Sequence, residues 1–206
     1  TLPADWPAYA RVANVGTDGT DVAVSGTTYT VKTARGLAWI AWVTNNGKTT
    51  ADADKTYSAS YPPSEGFKDC TVTLADDISL AKPAQGVASG FEANWIPIGT
   101  YKGFDARYYF QGTFDGGGHT ITGLTFTTND EFAGLFGWLN RAGTVKNVVM
   151  EGVQITSNQI YGGSIGGVVG SGWGTIENCS VSGSVSGTVY VGGVVGVQIG
   201  GSITGC

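Results

Sequence analysis

The sequence predicts an all-β chain, a parallel β-helix whose N-terminal end is closed by a cap with one short α-helix. Three observations predict it. Glycine supplies 34 of 206 residues and charged side chains only 13%, about twice and half their usual shares. Four segments of the second half align without gaps: HTITGLTF from His119, GTVKNVVM from Gly143, GTIENCSV from Gly174 and GSITGC from Gly201. A second element, AGLFG at Ala133 and GGVVG at Gly166 and Gly192, recurs in step with the first.

The four segments start 24, 31 and 27 residues apart, a spacing that marks stacked repeats. Their second column is Thr120, Thr144, Thr175 and Ser202, always a hydroxyl able to bond to backbone at a strand start. The third is Ile121, Val145, Ile176 and Ile203, all β-branched, as a buried strand position prefers. The fifth is Gly123, Asn147, Asn178 and Gly205, the residue types that most readily take positive φ, so it turns the chain. The sixth, Leu124, Val148, Cys179 and Cys206, is apolar throughout. Strands this short bury no face alone, but rungs stacked roughly 4.8 Å apart share one interior. A helical solenoid is disfavoured, since each glycine costs a helix about 1 kcal/mol.

Composition excludes several classes. Net charge of −5 and 41% hydrophobic residues do not suit a disordered chain. No window approaches the roughly 18 apolar residues of a membrane helix, so no membrane insertion of this segment is expected. With 11 basic against 16 acidic residues there is no basic stripe for phosphates, so nucleic acid is not an expected partner. Cys70, Cys179 and Cys206 form no CxxC pair and are odd in number, which excludes a disulfide-stapled scaffold and a cysteine zinc site. Cys179 and Cys206 read as small buried hydrophobes, with a disulfide between adjacent rungs as the sharper alternative. No metal and no cofactor are implied.

Residues 1–109 read as the cap region and 110–206 as the rungs. Twelve of the 16 acidic residues lie at or before Asp115. TARGLAWIAWVTN predicts a helix over 33–45, with Thr33 as N-cap and Asn46 and Gly47 as its stop. Its apolar residues run nearly all the way round, so it suits a plug over an open β-helix end. TTYTVKT from Thr27 and CTVTLADDISL from Cys70 alternate like strands. A strand pair about Asp18 and Gly19 is weakly indicated, and the polar stretch from Gly47 to Gly66 reads as a surface loop. The chain opens at Thr1 without signal-peptide features and stops at Cys206 inside a rung, so it reads as part of a longer chain truncated at its C-terminus.

FKDCTVTLADDISL, NWIPIG, FQGTFDGGGHTITGL, AGLFG, GTVKNVVMEG, GGVVG and GTIENCSVSG together resemble the GLUG-motif β-helix repeats of secreted bacterial surface proteins, including repeats attached to certain bacterial IgA-specific peptidases. The resemblance covers roughly residues 27–206. It implies a right-handed parallel β-helix outside the cell, and no catalytic residue.

β-Helix lyases and hydrolases need clustered carboxylates, and from His119 onward only Asp130, Glu131, Glu151 and Glu177 are acidic. Lys146 and Glu177 share a column and are expected to form an exposed ion pair. Asp130 and Glu131 suit a solvated turn better than a calcium site. His119 beside Asp115 offers an acid–base pair, but GTFDGGGHTI reads better as a turn. No GxSxG or P-loop is present. The functional lead is aromatic: Trp138, Tyr161, Trp173 and Tyr190 lie in or beside the connections, either as a stacking platform for sugar rings or a protein contact patch, or as shields of the core at rung corners. The expected function is a non-catalytic, adhesin-like module at the bacterial cell surface or outside the cell, with a glycan or host surface protein as partner. A structural stalk ranks second. A polysaccharide lyase or hydrolase, with the acidic first half folded over the rungs, ranks third.

Overall fold

The computed structural model describes residues 6–52, 60–81 and 95–206. It opens with helix α1 (Trp6–Ala10), strands β1 (Val15–Gly16), β2 (Val22–Ser25) and β3 (Thr28–Val31), and helix α2 (Ala34–Asn45). A 3₁₀ turn at Glu65–Phe67 leads into β4 (Thr71–Leu74) and β5 (Ile78–Ser79), and a second 3₁₀ turn spans Ala106–Tyr108. Then come β6 (Thr113–Asp115), β7 (Thr120–Thr122), β8 (Thr125–Thr128), β9 (Phe132–Ala133) and β10 (Phe136–Leu139). The next pass is β11 (Thr144–Lys146), β12 (Val149–Ser157), β13 (Ser164–Gly166) and β14 (Val169–Gly172). The last strands are β15 (Thr175–Glu177), β16 (Ser180–Ser186), β17 (Tyr190–Gly192), β18 (Val195–Gln198) and β19 (Ser202–Thr204).

The fold is mostly β, with strands that pair in parallel except for the β2–β3 hairpin. The main sheet runs β1-β2-β3-β4-β6-β11-β15-β19. A second runs β16-β12-β7-β5, with β8 also on β12, and two three-stranded sheets run β17-β13-β9 and β10-β14-β18. From β6 onward the chain visits these sheets repeatedly in one order. Cross-strand partners therefore form columns: Tyr29, Val72, Phe114, Val145 and Ile176 superpose and are all fully buried, with Ile203 next in line. Phe136, Val169 and Val195 of the second repeated element superpose likewise.

One expected column is corrected. Val145, Ile176 and Ile203 stack, but the residue beneath Val145 is Phe114; Ile121 pairs with Met150 in the second sheet. The two Thr-Ile/Phe strands on either side of the GGG corner look alike in sequence. Seven residues separate Phe114 from Ile121 against five from Val145 to Met150 (121 − 114 against 150 − 145), so a gapless alignment selects the wrong one. All four residues expected to turn the chain take positive φ: Gly123 71°, Asn147 54°, Asn178 49° and Gly205 65°. Asparagine tolerates this region because its short amide bonds locally. Here Asn178 Nδ2 donates to Asn147 Oδ1 (3.4 Å) and Asn147 Nδ2 to Asp115 Oδ1 (2.9 Å), a polar ladder along one corner.

The expected Lys146–Glu177 ion pair is also corrected. The two residues are neighbours in register, yet Lys146 Nζ lies 3.4 Å from Asp115 Oδ2 on the other adjacent strand. Asp115 is fixed for that contact by Asn147 and by the Gly117 N–H (2.9 Å).

In the first half, Thr33 caps α2 through a bond from the Gly36 N–H (3.1 Å), and Asn46 follows its last residue. α1 is a second helix the sequence pattern did not reveal, because five residues carry no readable period. Trp39 of α2 is fully buried, stacked between Tyr29 and Tyr61 with Phe67 edge-on. Asp21 is buried and accepts from Asn14 N, Thr33 Oγ1 and Arg35 Nε at 2.7, 2.6 and 3.1 Å, which ties the first strands to the helix start. β1 and β2 flank Asp18 and Gly19 as a parallel pair. Part of the expected 47–66 loop, residues 53–59, lies outside the described residues. Among the described residues both the main sheet and the apolar core run through position 110, joining the cap strands β3 and β4 to the later passes.

Two predictions follow from the corner and the cysteines. Burial raises the Asp115 carboxyl, but bonds from Asn147 and Gly117 and the charge of Lys146 outweigh it, leaving the pKa below the ordinary value. Because the folded value is the lower one, the stability this carboxylate contributes is full above about pH 4 and is lost as pH falls through the folded pKa. Thermal melts from pH 6 to pH 2 (on the order of the carboxylate titration range) should show a smaller acid-induced drop for Asp115→Asn than for the native chain; equal drops would exclude the ladder as a source. All three cysteines are free thiols, Cys70 and Cys179 buried and Cys206 exposed. Burial pushes the Cys70 and Cys179 thiols up to about 11, while the Cys206 sulfur sits over its neighbour, 3.4 Å from the Cys179 N–H. Timed alkylation near neutral pH should therefore modify Cys206 first, with the other two reacting only on unfolding.

Candidate functional site

The site forms where an excursion of the chain stands beside β10. The chain bridges β10 at Ile98, opposite Phe136, and returns at Phe110, opposite Leu139. Trp138 N donates to Gly99 O at 3.0 Å. The last residue of α2 clamps the departure point: Asn45 Nδ2 donates to Pro97 O (2.9 Å) and its Oδ1 accepts from Gly99 N (2.8 Å). Thr100 N donates to Tyr108 O at 2.9 Å, closing the base of the excursion.

Four rings lock this excursion onto the sheet. Tyr101 stacks parallel to Tyr109 at 6.2 Å and meets Trp138 at 4.7 Å, while Phe132 stands edge-on to Trp138 at 4.7 Å. The Tyr109 hydroxyl donates to Gly103 O, and burial raises its pKa, with Tyr101 and Asp105 adding to the effect. Beside the cluster opens a groove of about 450 Å³ lined by Tyr101, Phe104, Tyr109, Trp138, Asn140, Arg141, Trp173 and Ile199. Phe104 is 99% exposed and Trp173 36%, so ring surface faces solvent. The Arg141 guanidinium lies 5.5 Å from the Trp173 ring centre, within reach of a cation–π contact.

The structure divides the four sequence-selected aromatics. Trp138 and Trp173 both line the groove: Trp138 pairs with Ser171 of β14, and Trp173 follows the end of that strand. Trp138 is only 8% exposed, so it is the packed floor and not an exposed platform. Tyr161 and Tyr190 are 80% and 58% exposed, but they sit at the β13–β17 side, where Tyr190 is in register with Ser164, and neither lines the groove. Sequence reasoning missed Tyr101, Phe104, Tyr109 and Arg141. The signal was the density of TYKGFDARYYF, in which five of the ten residues 101–110 are aromatic.

Other candidates do not assemble. His119 Nδ1 lies 3.5 Å from Asp77 Oδ1, while Asp115 is committed to Asn147 and Lys146. Asp130 and Glu131 line a pocket with Thr100, Tyr101 and Phe132, and no group of three or more metal-ligating side chains occurs among the described residues. An apolar cavity of about 280 Å³ between Trp6, Ala38, Trp42 and Trp95 offers only the amides of Asn45 and Asn46 as polar side chains, and that of Asn45 is already committed. No helix among the described residues is long and apolar enough to cross a membrane.

Fold and groove together define a class: a strand-rich chain of mostly parallel sheets with a solvent-facing aromatic groove. Two curated proteins are similar to part of the chain. Halomucin of Haloquadratum walsbyi is 41% identical over 88 residues, 42% of this chain and 1% of the relative. A protein of Evansella cellulosilytica that goes by the name of Gly-rich membrane protein is 34% identical over 90 residues, again 42% of this chain and 10% of the relative. The chain thus spans a small fraction of the curated relatives it matches. No family model matches the sequence, and no solved structure matches it.

The split between floor and rim is measurable. Trp138→Ala removes a ring packed against three others and should cost about 3 kcal/mol. Trp173→Ala, at the rim, should change stability by about 0.5 kcal/mol or less. Urea unfolding of the two variants distinguishes them; equal losses would mean that Trp173 is structural as well.

Proposed function

We propose that the chain is a non-catalytic, carbohydrate-binding module of a cell-surface or secreted protein, built as a right-handed parallel β-helix of GLUG-type repeats. The observation that carries the binding reading is the groove, with Trp173, Tyr101 and Phe104 presenting ring surface beside the Arg141 guanidinium. Sugar rings offer C–H faces that pack on aromatic faces and hydroxyls that bond to polar groups at the rim, the pairing of apolar body and fixed polar group that suits a ligand site. The repeated order in which the chain visits its sheets, and the superposition of Phe136, Val169 and Val195, support the β-helix reading. The names of the two relatives, Halomucin and a Gly-rich membrane protein, support a place at or beyond the cell surface.

The test is titration of the chain with a panel of polysaccharides, followed by tryptophan fluorescence and calorimetry. At least one should bind, and Trp173→Ala should weaken it about tenfold, or about 1.4 kcal/mol, with the melting temperature kept. If no polysaccharide binds, or if the Trp173 and Phe104 variants bind as the native chain does, the reading falls and the stalk role takes its place.

A further inference from the structure

We infer that the groove takes an anionic polysaccharide, a chain of sugar rings bearing carboxylate or sulfate groups, with Arg141 as the anchor for the negative group. This rests on the carbohydrate reading above and adds the class of sugar.

The first support is local charge. The protein is acidic overall, at −5. The groove departs from that balance: Arg141 is the charged side chain among its lining residues, while Lys102, Asp105 and Arg107 stand on the same excursion outside the lining. Asp105 is neutralised in place, since Arg107 Nε lies 2.9 and 3.0 Å from its two oxygens and Arg107 Nη2 2.6 Å from Oδ2. That pairing holds the Asp105 carboxyl below its ordinary range. Lys102 adds its charge at Asp105 from outside the groove lining, which leaves Arg141 as the groove's cation without an ion-pair partner among the described residues.

The second support is how those two cations are held. Arg141 rests over Trp173, and the Lys102 ammonium lies 4.2 Å from the centre of the Tyr108 ring. Neither has a carboxylate within ion-pair distance among the described residues. A ring face positions a guanidinium without occupying its N–H donors, so the planar fork stays free for a carboxylate or sulfate. A neutral glycan would use the rings and leave Arg141 idle. An apolar protein partner would bury Arg141 without a counter-charge, which is costly.

The experiment titrates the intact chain with three oligosaccharide sets of matched length: oligogalacturonates for carboxylate, chondroitin sulfate for sulfate, and cello-oligosaccharides as neutral rings. Affinity for at least one acidic set should exceed the neutral set about tenfold and fall as salt rises from about 50 to 300 mM, because screening shortens the reach of the charge. Arg141→Gln should remove most of that preference by weakening acidic binding far more than neutral binding, and Arg141→Lys should keep part of it; tryptophan fluorescence confirms that Trp173 stays in place. If neutral rings bind as tightly as acidic ones, or if Arg141→Gln weakens both alike, the inference fails while the carbohydrate reading stands. If no set binds, both fall.

Discussion

Register between stacked parallel strands is the constraint on which the rest of the structure depends. In such a ladder each residue lies over the residue at the same position in the next pass, so a column takes one character along its whole length. The column from Tyr29 through Val72, Phe114, Val145 and Ile176 is apolar without exception because a polar member would be buried between two apolar ones. The abundance of glycine has the same origin. A Cβ on Gly170 would lie 2.6 Å from Ala133 N, and one on Gly196 2.6 Å from Ile165 N, so at these points the walls approach too closely for any side chain. Charge follows the same register: Asp115, Lys146 and Glu177 succeed one another in a single column.

This logic explains what was legible in the sequence. Val145, Ile176 and Ile203 were readable as one column because the turn residues Asn147 and Asn178 recur beside the first two at a fixed offset. Ile121 was misplaced because β6 and β7 share a Thr-aromatic or Thr-Ile signature and the GGG corner between them adds two residues. Tyr29 and Val72 escaped notice as members of the same column because 43 and 42 residues separate them from the next position, long enough to hold a helix and an irregular excursion. Helix α2 was legible from its cap and α1 was not, which is what a twelve-residue and a five-residue element allow.

The groove was only half legible, and the reason is physical. Trp138 and Trp173 belong to the repeating part of the chain, so their neighbourhood follows from register. Tyr101, Phe104 and Tyr109 belong to an excursion whose docking depends on tertiary contacts that no periodicity encodes: the Asn45 clamp from α2 and the ring packing on Phe132 and Trp138.

A stack of like passes has difficulty making a unique site, since whatever one pass presents the next tends to repeat. A distinct surface therefore arises where the repeat is interrupted. Between Ile98 and Phe110 the chain leaves the β10 edge and returns, and in that interval it gathers two of the groove's exposed rings, Tyr101 and Phe104. The groove's cation, Arg141, lies just beyond β10 and meets Trp173 of the next pass. The regular sheets hold the floor rigid, and the interruption supplies the surface that distinguishes this pass from the others. Because the excursion is tied to the end of α2 through Asn45, the cap contributes to the geometry of the groove as well as to the core. A change at the helix C-terminus would thus reach the rim through two hydrogen bonds rather than through the sheet.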